Sequence, residues 1–166
     1  PNTATQNELD EYLALSNPSG HPVNIGGWSI TDNEGTIIFP PFEVHQNQTL
    51  YVTRNASAFV TQMTALGRND IYPDFEYGSD SDPEVSQMQS KGKALAFRNT
   101  GDEVILRDNS GRDVDVVIYG ECSYEGTGWR GTPLESPREG MVLSRKGIQD
   151  TNQCEDWLIL PFGSSY

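Results

Sequence analysis

Asp80, Asp82 and Glu84 alternate along the tract Asp80-Ser81-Asp82-Pro83-Glu84. Carboxylates at every second position offer the hard oxygen ligands that calcium takes; no cofactor is expected, and calcium is the alternative to that reading. The tract lacks the fixed glycine and the spaced bidentate glutamate of an EF-hand loop, so the competing reading is a solvated acidic loop. Paired-carboxylate catalysis would require acidic residues from distant parts of the chain to converge. The parts of nucleophilic and zinc-hydrolytic mechanisms are missing. His21 precedes Pro22-Val23 and His45 precedes Gln46-Asn47, so neither forms the His-x-Lys with which a phospholipase D-type enzyme attacks phosphorus. There is no G-x-S-x-G elbow and no Cys-His spacing suited to zinc. The reading is that this stretch of chain is not itself an enzyme.

Two further sets of residues offer binding or covalent chemistry. Trp28, Trp129 and Trp157, with Tyr124, would make a stacking platform for a sugar if they were exposed and coplanar, although tryptophan in strand-like sequence is more often core. Cys122 and Cys154 allow one pairing, and a bridge would close a loop for which chain entropy predicts about 3 to 4 kcal/mol. Asn47-Gln48-Thr49 and Asn55-Ala56-Ser57 are glycan sequons, which would lie on the surface of a secreted protein.

The elements that would position these residues are written most plainly in residues 101–120. Val104 and Leu106 face one way and Ile105 and Arg107 the other; Val114, Val116 and Ile118 repeat the period of two after Asn109-Ser110-Gly111. That is a β-hairpin, with Gly111 free to take positive φ in the turn. Further strands are predicted at residues 11–16, 23–25, 28–31, 36–39, 49–53, 94–97, 141–145 and 156–160, separated by turn residues such as Asn17-Pro18-Ser19-Gly20 and Asp32-Asn33-Glu34-Gly35. Pro40-Pro41 ends the fourth of these because proline donates nothing to the next ladder position. Asn55 is the predicted N-cap of one helix over residues 56–66, with Phe59, Val60, Met63 and Leu66 at helical spacing. Short strands with frequent turns and one helix predict an all-β fold, two antiparallel sheets packed face to face as an immunoglobulin-like β-sandwich.

Residues 67–93 break the pattern. They are rich in Pro, Gly, Asp and Ser and carry Tyr72, Phe75 and Tyr77 among acidic residues. Loops of that length are commonly functional or mobile: read as functional, the tract makes Tyr72, Phe75 and Tyr77 the candidate partner contacts, and the competing reading is a mobile excursion whose aromatics pack back onto the sandwich. Deleting residues 72–84 is expected to abolish binding with little change in melting temperature. The organisation expected is a flexible tail over residues 1–8 and one domain over residues 9–166, with the acidic loop inserted at about 67–93.

The chain's 166 residues suffice to bury roughly 70% of the surface exposed when unfolded, so no staple is required for folding. A net charge of −13, from 24 acidic and 11 basic residues, opposes binding to a phosphate backbone and makes nucleic acid a poor partner. No stretch approaches the roughly 18 apolar residues of a membrane span. The first residues lack a signal-like apolar run and an initiator Met, which reads as a piece of a longer protein.

With the strands placed, their wording resembles a known family. Glu11-Tyr12-Leu13-Ala14-Leu15-Ser16-Asn17-Pro18, then Gly26-Gly27-Trp28-Ser29-Ile30-Thr31-Asp32, then Ile38-Phe39-Pro40, then the whole of residues 101–120 follow in order the pattern of lamin tail domains. Gly128-Trp129-Arg130-Gly131, Gly140-Met141-Val142-Leu143-Ser144-Arg145, Asp150-Thr151-Asn152 and Asp156-Trp157 are similar to the C-terminal part of microbial members. The resemblance implies a non-catalytic interaction or targeting module, in which Trp28 and Tyr119-Gly120 are core and strand-end residues. The family offers no catalytic set to carry over. Residues 67–93 and the helix depart from its pattern.

Microbial members are commonly linked to surface or secreted proteins, and in several archaeal proteins such a domain precedes phospholipase D-like catalytic modules. The resemblance thus implies an extracellular or cell-surface setting, a protein or cell-surface partner, and a catalytic or structural region in the same chain. Two alternatives stand beside it: an accessory domain of a phospholipase D-like phosphodiesterase or nuclease whose activity lies elsewhere, and a carbohydrate-binding module. Fold-level analogy does not itself assign a site.

Overall fold

The structure is a computed structural model that describes residues 8–162 and residue 164. Most of the tail expected at residues 1–8 lies outside the described residues. In chain order the elements are β1 (Tyr12–Ser16), β2 (Val23–Asn24), β3 (Ser29–Thr31), β4 (Gly35–Ile38), β5 (Glu43–Val44), β6 (Thr49–Thr53), α1 (Ala56–Ala65), β7 (Phe75–Glu76), β8 (Ser86–Gln87), β9 (Gln89–Gly92), β10 (Gly101–Arg107), β11 (Asp113–Gly120), β12 (Met141–Arg145) and β13 (Trp157–Pro161).

Alternation of side chains along each strand builds the layers. Of the two larger sheets, one runs β1-β6-β7-β8 and the other β11-β10-β3-β4-β9, while β2 pairs antiparallel with β5 in a separate two-stranded piece. Leu13 and Leu15 of β1 and Leu50 and Val52 of β6 point inward to the core shared with Ile30 and Ile37. The intervening Tyr12 and Tyr51 point outward, where α1 lays Phe59 and Met63 over them. In β10, Val104 and Leu106 face the shared core, whereas Ile105 joins Val116 and Ile118 of β11 beneath Cys122, Tyr124 and Trp129. Both faces of the expected hairpin are therefore covered, because residues 122–129 fold back over its outer side. The architecture is an all-β, immunoglobulin-like sandwich with one short helix.

The helix follows the sequence reading closely. The Asn55 side chain accepts from the Ala58 N–H at 2.8 Å, satisfying one of the free donors of the first turn. Phe59 and Met63 are buried, four residues apart on one face. Leu66, expected on that face, is the C-cap and is exposed, and Gly67 follows at φ +72°.

Residues 67–93 are not a structureless excursion. Phe75 and Glu76 pair in parallel with Val52 and Thr53 of β6, and β8 pairs in parallel with β7. Buried Met88 then marks the crossing to the opposite sheet, where β9 pairs antiparallel with β4. The tract ties the two sheets together along one side, and it makes β6-β7-β8 a parallel patch in a sandwich expected to be antiparallel. Conversely, residues 94–97 form no strand. Leu95 and Phe97 are buried as alternation suggests, but the Ala96 N–H donates to Asp32 Oδ2 at 3.2 Å instead of to a ladder partner.

β12 and β13 form an antiparallel hairpin along the other side. Arg145 reaches Asp115 on edge strand β11, while Phe162, just past β13, meets Tyr12 of edge strand β1 edge-on at 5.1 Å between ring centroids. The hairpin thus spans the gap between the two sheets' edges. Among the described residues, no helix is long and apolar enough to cross a membrane.

Candidate interaction surface

Glu76 organises the surface that the acidic loop presents. Strand β7 carries it into the interior with no exposed area, yet both of its carboxylate oxygens are engaged. Oε1 accepts from the backbone N–H groups of Ser81 and Asp82 at 2.8 and 3.2 Å; Oε2 accepts from Ser81 Oγ and the Ala56 N–H at 2.7 and 2.9 Å. Burial alone would raise this carboxyl, but the four donors outweigh it and hold the group below its ordinary value. One side chain therefore caps the start of α1 and fixes the turn at residues 81–82.

The helix start reinforces that turn. The Ser57 hydroxyl donates to the Ser81 carbonyl at 2.9 Å, and the Asn55 amide donates to Ser79 Oγ at 3.2 Å. The sequon asparagine Asn55 is thus occupied as a helix cap, whereas Asn47 is exposed in the turn before β6. Gly78 permits the loop's close approach to β6, since a Cβ there would stand 2.4 Å from the Arg54 carbonyl oxygen.

On this frame Tyr72 is half exposed, and its hydroxyl donates to Asp82 Oδ2 at 2.5 Å. Asp82 Oδ1 accepts from the Glu84 N–H at 3.0 Å. The hydrogen bond from Tyr72 lowers the Asp82 carboxyl's pKa and raises that of the phenol. The result is an aromatic ring held at the surface, with exposed Asp80 and Glu84 carried by the same loop.

The other two candidate contacts require correction. Phe75 is buried between Phe39 and Phe42, whose rings meet it edge-on at 5.4 and 5.2 Å. Tyr77 is buried with its hydroxyl donating to Glu11 Oε2 at 3.3 Å, and burial carries its pKa well above the usual phenol value. Neither side chain presents a surface to a partner. The calcium set is corrected as well: among the described residues no three His, Cys, Asp or Glu side chains group to hold a metal ion. Asp82 is turned toward Tyr72 and its own loop, so alternation in sequence does not bring Asp80, Asp82 and Glu84 together as ligands.

A model of the lamin tail domain matches residues 1–121. This chain belongs to the lamin tail domain family. No curated protein matches the chain. Lamin tail domains are immunoglobulin-like, usually mediate interactions and are non-catalytic. The hairpin β12–β13 lies beyond the matched residues, although it is tied to both sheet edges of this lamin tail domain.

The remaining sequence-singled residues are dispersed, and Cys122, Trp129, Cys154 and Trp157 lie beyond the matched residues. Cys122 and Cys154 are separate free thiols, and the one pairing the sequence allows is not formed. Cys122 donates to Glu103 Oε2 at 3.1 Å, and burial, followed by that carboxylate, pushes its thiol up to about 11. Cys154 lies by Thr132 and Glu155. The three tryptophans are half-buried in three places: Trp28 against the central core, Trp129 over Ile105 and Val116, and Trp157 under the Arg145 guanidinium at 4.5 Å. They make no common stacking platform.

Sequence reasoning missed Glu76 and Arg145. Glu76 lies between two aromatics in a tract read as loop, and nothing local marks it as buried. The Arg145 partners Asp115 and Asp150 lie 30 positions upstream and 5 downstream respectively; the proximity of Asp150-Thr151-Asn152 to Arg145 was the available signal.

Proposed function

We propose that this lamin tail domain is a non-catalytic interaction and targeting module of a larger, exported protein, positioning a catalytic or structural region of the same chain at a protein or cell-surface partner. The contact surface is the one around Tyr72, Asp80 and Glu84. The observation that carries this reading is the pre-organised Tyr72 ring: exposed, fixed by Asp82, and mounted on a loop that buried Glu76 holds in place. A rigid aromatic at the surface buries large apolar area on binding while losing little side-chain freedom, which is why such residues anchor interfaces.

The family resemblance favours a phospholipase D-like phosphodiesterase or nuclease as the attached region, with this domain as its accessory part. Two measurements test the assignment. The domain fused to a fluorescent reporter is expected to be retained on washed cells of the source organism, where the reporter alone is not. The purified domain is expected to leave a chromogenic phosphodiester intact. Turnover of that substrate, or equal loss of both reporters on washing, contradicts the proposal.

A further inference from the structure

On the outer face of the five-stranded sheet, away from Tyr72, a cleft of about 470 Å³ opens between the β3–β4 turn and residues 123–127. Asn33, Glu103, Arg107, Asp113, Tyr124 and Thr127 line it. Alternation along β10 sends Glu103 and Arg107 outward, and Asn33 projects from a turn at φ +62°.

These side chains form one continuous polar chain. Asn33 Nδ2 donates to Glu103 Oε1 at 2.8 Å, and the Cys122 thiol donates to the other oxygen at 3.1 Å. Arg107 donates from Nη2 to Asn33 Oδ1 at 3.3 Å and from Nε to Asp113 Oδ1 at 2.8 Å. Thr127 Oγ1 completes the chain on Asp113 Oδ2 at 3.3 Å. Amide, carboxylate and guanidinium planes are thus held by one another before any ligand arrives.

The aromatic member is equally fixed. Tyr124 packs against Ile105, Val116 and Ile118 and donates from its hydroxyl to the Thr127 carbonyl at 2.8 Å. Gly126 lies so close to the phenol that a Cβ there would meet the hydroxyl at 2.2 Å. The loop is therefore shaped around this ring.

Charge and chemistry restrict what fits. Glu103, Asp113 and Glu125 outnumber Arg107 in the lining, which opposes a phosphate or carboxylate ligand. Arg107 in the midst of the carboxylates opposes a simple cation and already uses part of their acceptor capacity. What the cleft still offers is spare carboxylate lone pairs, further guanidinium N–H donors and an aromatic ring, within the roughly 300–1,000 Å³ of small-ligand sites. Vicinal hydroxyl groups on an apolar ring are the complement of such a set. We propose that this cleft binds a neutral saccharide, with Tyr124 as the stacking residue and Asn33, Glu103, Arg107 and Asp113 as hydroxyl partners. The site is independent of the Tyr72 surface and does not use the tryptophans.

The test is an NMR titration of the labelled domain with neutral sugars at tens of millimolar: glucose, galactose, mannose and oligomers of N-acetylglucosamine. The expected result is saturable shift changes at residues 33, 103, 107, 113 and 122–127 with at least one of them. Asn33→Gly keeps the positive φ of the turn and is expected to weaken that binding roughly tenfold, with the spectrum elsewhere unchanged. Tyr124→Ala is expected to abolish it. If Tyr124→Ala fails to fold, Asn33→Gly alone decides. No shifts at the cleft with any sugar overturns the proposal, as does undiminished binding by Asn33→Gly. Binding instead of a polylysine peptide at this cleft, lost with added salt, also overturns it by marking a charge-driven contact.

Discussion

Arg145 Nη2 donates to both carboxylate oxygens of Asp115, at 2.6 and 2.7 Å, joining the C-terminal hairpin to the edge of the five-stranded sheet. The same guanidinium pairs with Asp150 at 2.9 Å through Nη1 and lies over the Trp157 ring. One cation therefore gathers β11, β12, the turn at Asp150 and β13. The guanidinium is 18% exposed whereas each carboxylate is 36% exposed, so its loss removes charge-assisted bonds but leaves carboxylates that water can still reach.

Arg145→Ala is accordingly expected to destabilise the domain by about 1–3 kcal/mol, read from the urea midpoint at neutral pH. Arg145→Lys keeps the charge but not the planar fork and should recover only part of the loss. A midpoint unchanged in Arg145→Ala would show that the Arg145–Asp115 link contributes nothing to stability.

Glu76 makes a pH-dependent contribution of definite sign. Its folded pKa lies below the ordinary value near 4.5, because four donors outweigh burial. The stability it adds is complete above that ordinary value and is lost as pH falls through the lower folded one. Glu76→Gln should cost about 2–3 kcal/mol at pH 7 and make unfolding less sensitive to acid between pH 5 and pH 3. Urea titrations at the two ends of that window measure both effects.

Removing residues 72–84 takes away β7, the buried Phe75 and Tyr77, and Glu76. The deletion is therefore expected to unfold the domain, the opposite of what a free loop would give. Tyr72→Ala should leave the melting temperature within a few degrees of wild type, as a half-exposed side chain whose one hydrogen bond is to an exposed-side carboxylate. Circular dichroism melts of the two variants separate a structural tract from the surface residue it carries.

Alkylation without reductant is expected to add two adducts to the intact domain, since both thiols are free. Cys122 should react far more slowly than Cys154 near pH 7, because its half-buried thiol titrates at about 11 and the thiolate is the reacting form. A mass showing no adducts without reductant and two after reduction would establish the bridge instead.

What was legible in the sequence follows from how far each determinant reaches along the chain. The hairpin over residues 101–120 and the Asn55-capped helix rest on alternation, a turn glycine and a local cap, and all of these are short-range signals. β7 is two residues long and pairs in parallel with a strand more than twenty positions earlier, so Phe75 and Tyr77 looked like loop aromatics. Residues 94–97 carried a strand's alternation, but Asp32 intercepts the backbone donor that a ladder would use. The Arg145–Asp115 pair spans 30 positions and leaves no periodic trace.

Engagement of a partner through the ring held by Asp82 is decided by comparing reporter fusions of wild type and Tyr72→Ala on washed cells of the source organism. With melting temperatures matched, wild type is expected to be retained and Tyr72→Ala released. Equal retention of the two would place the contact elsewhere and contradict that expectation.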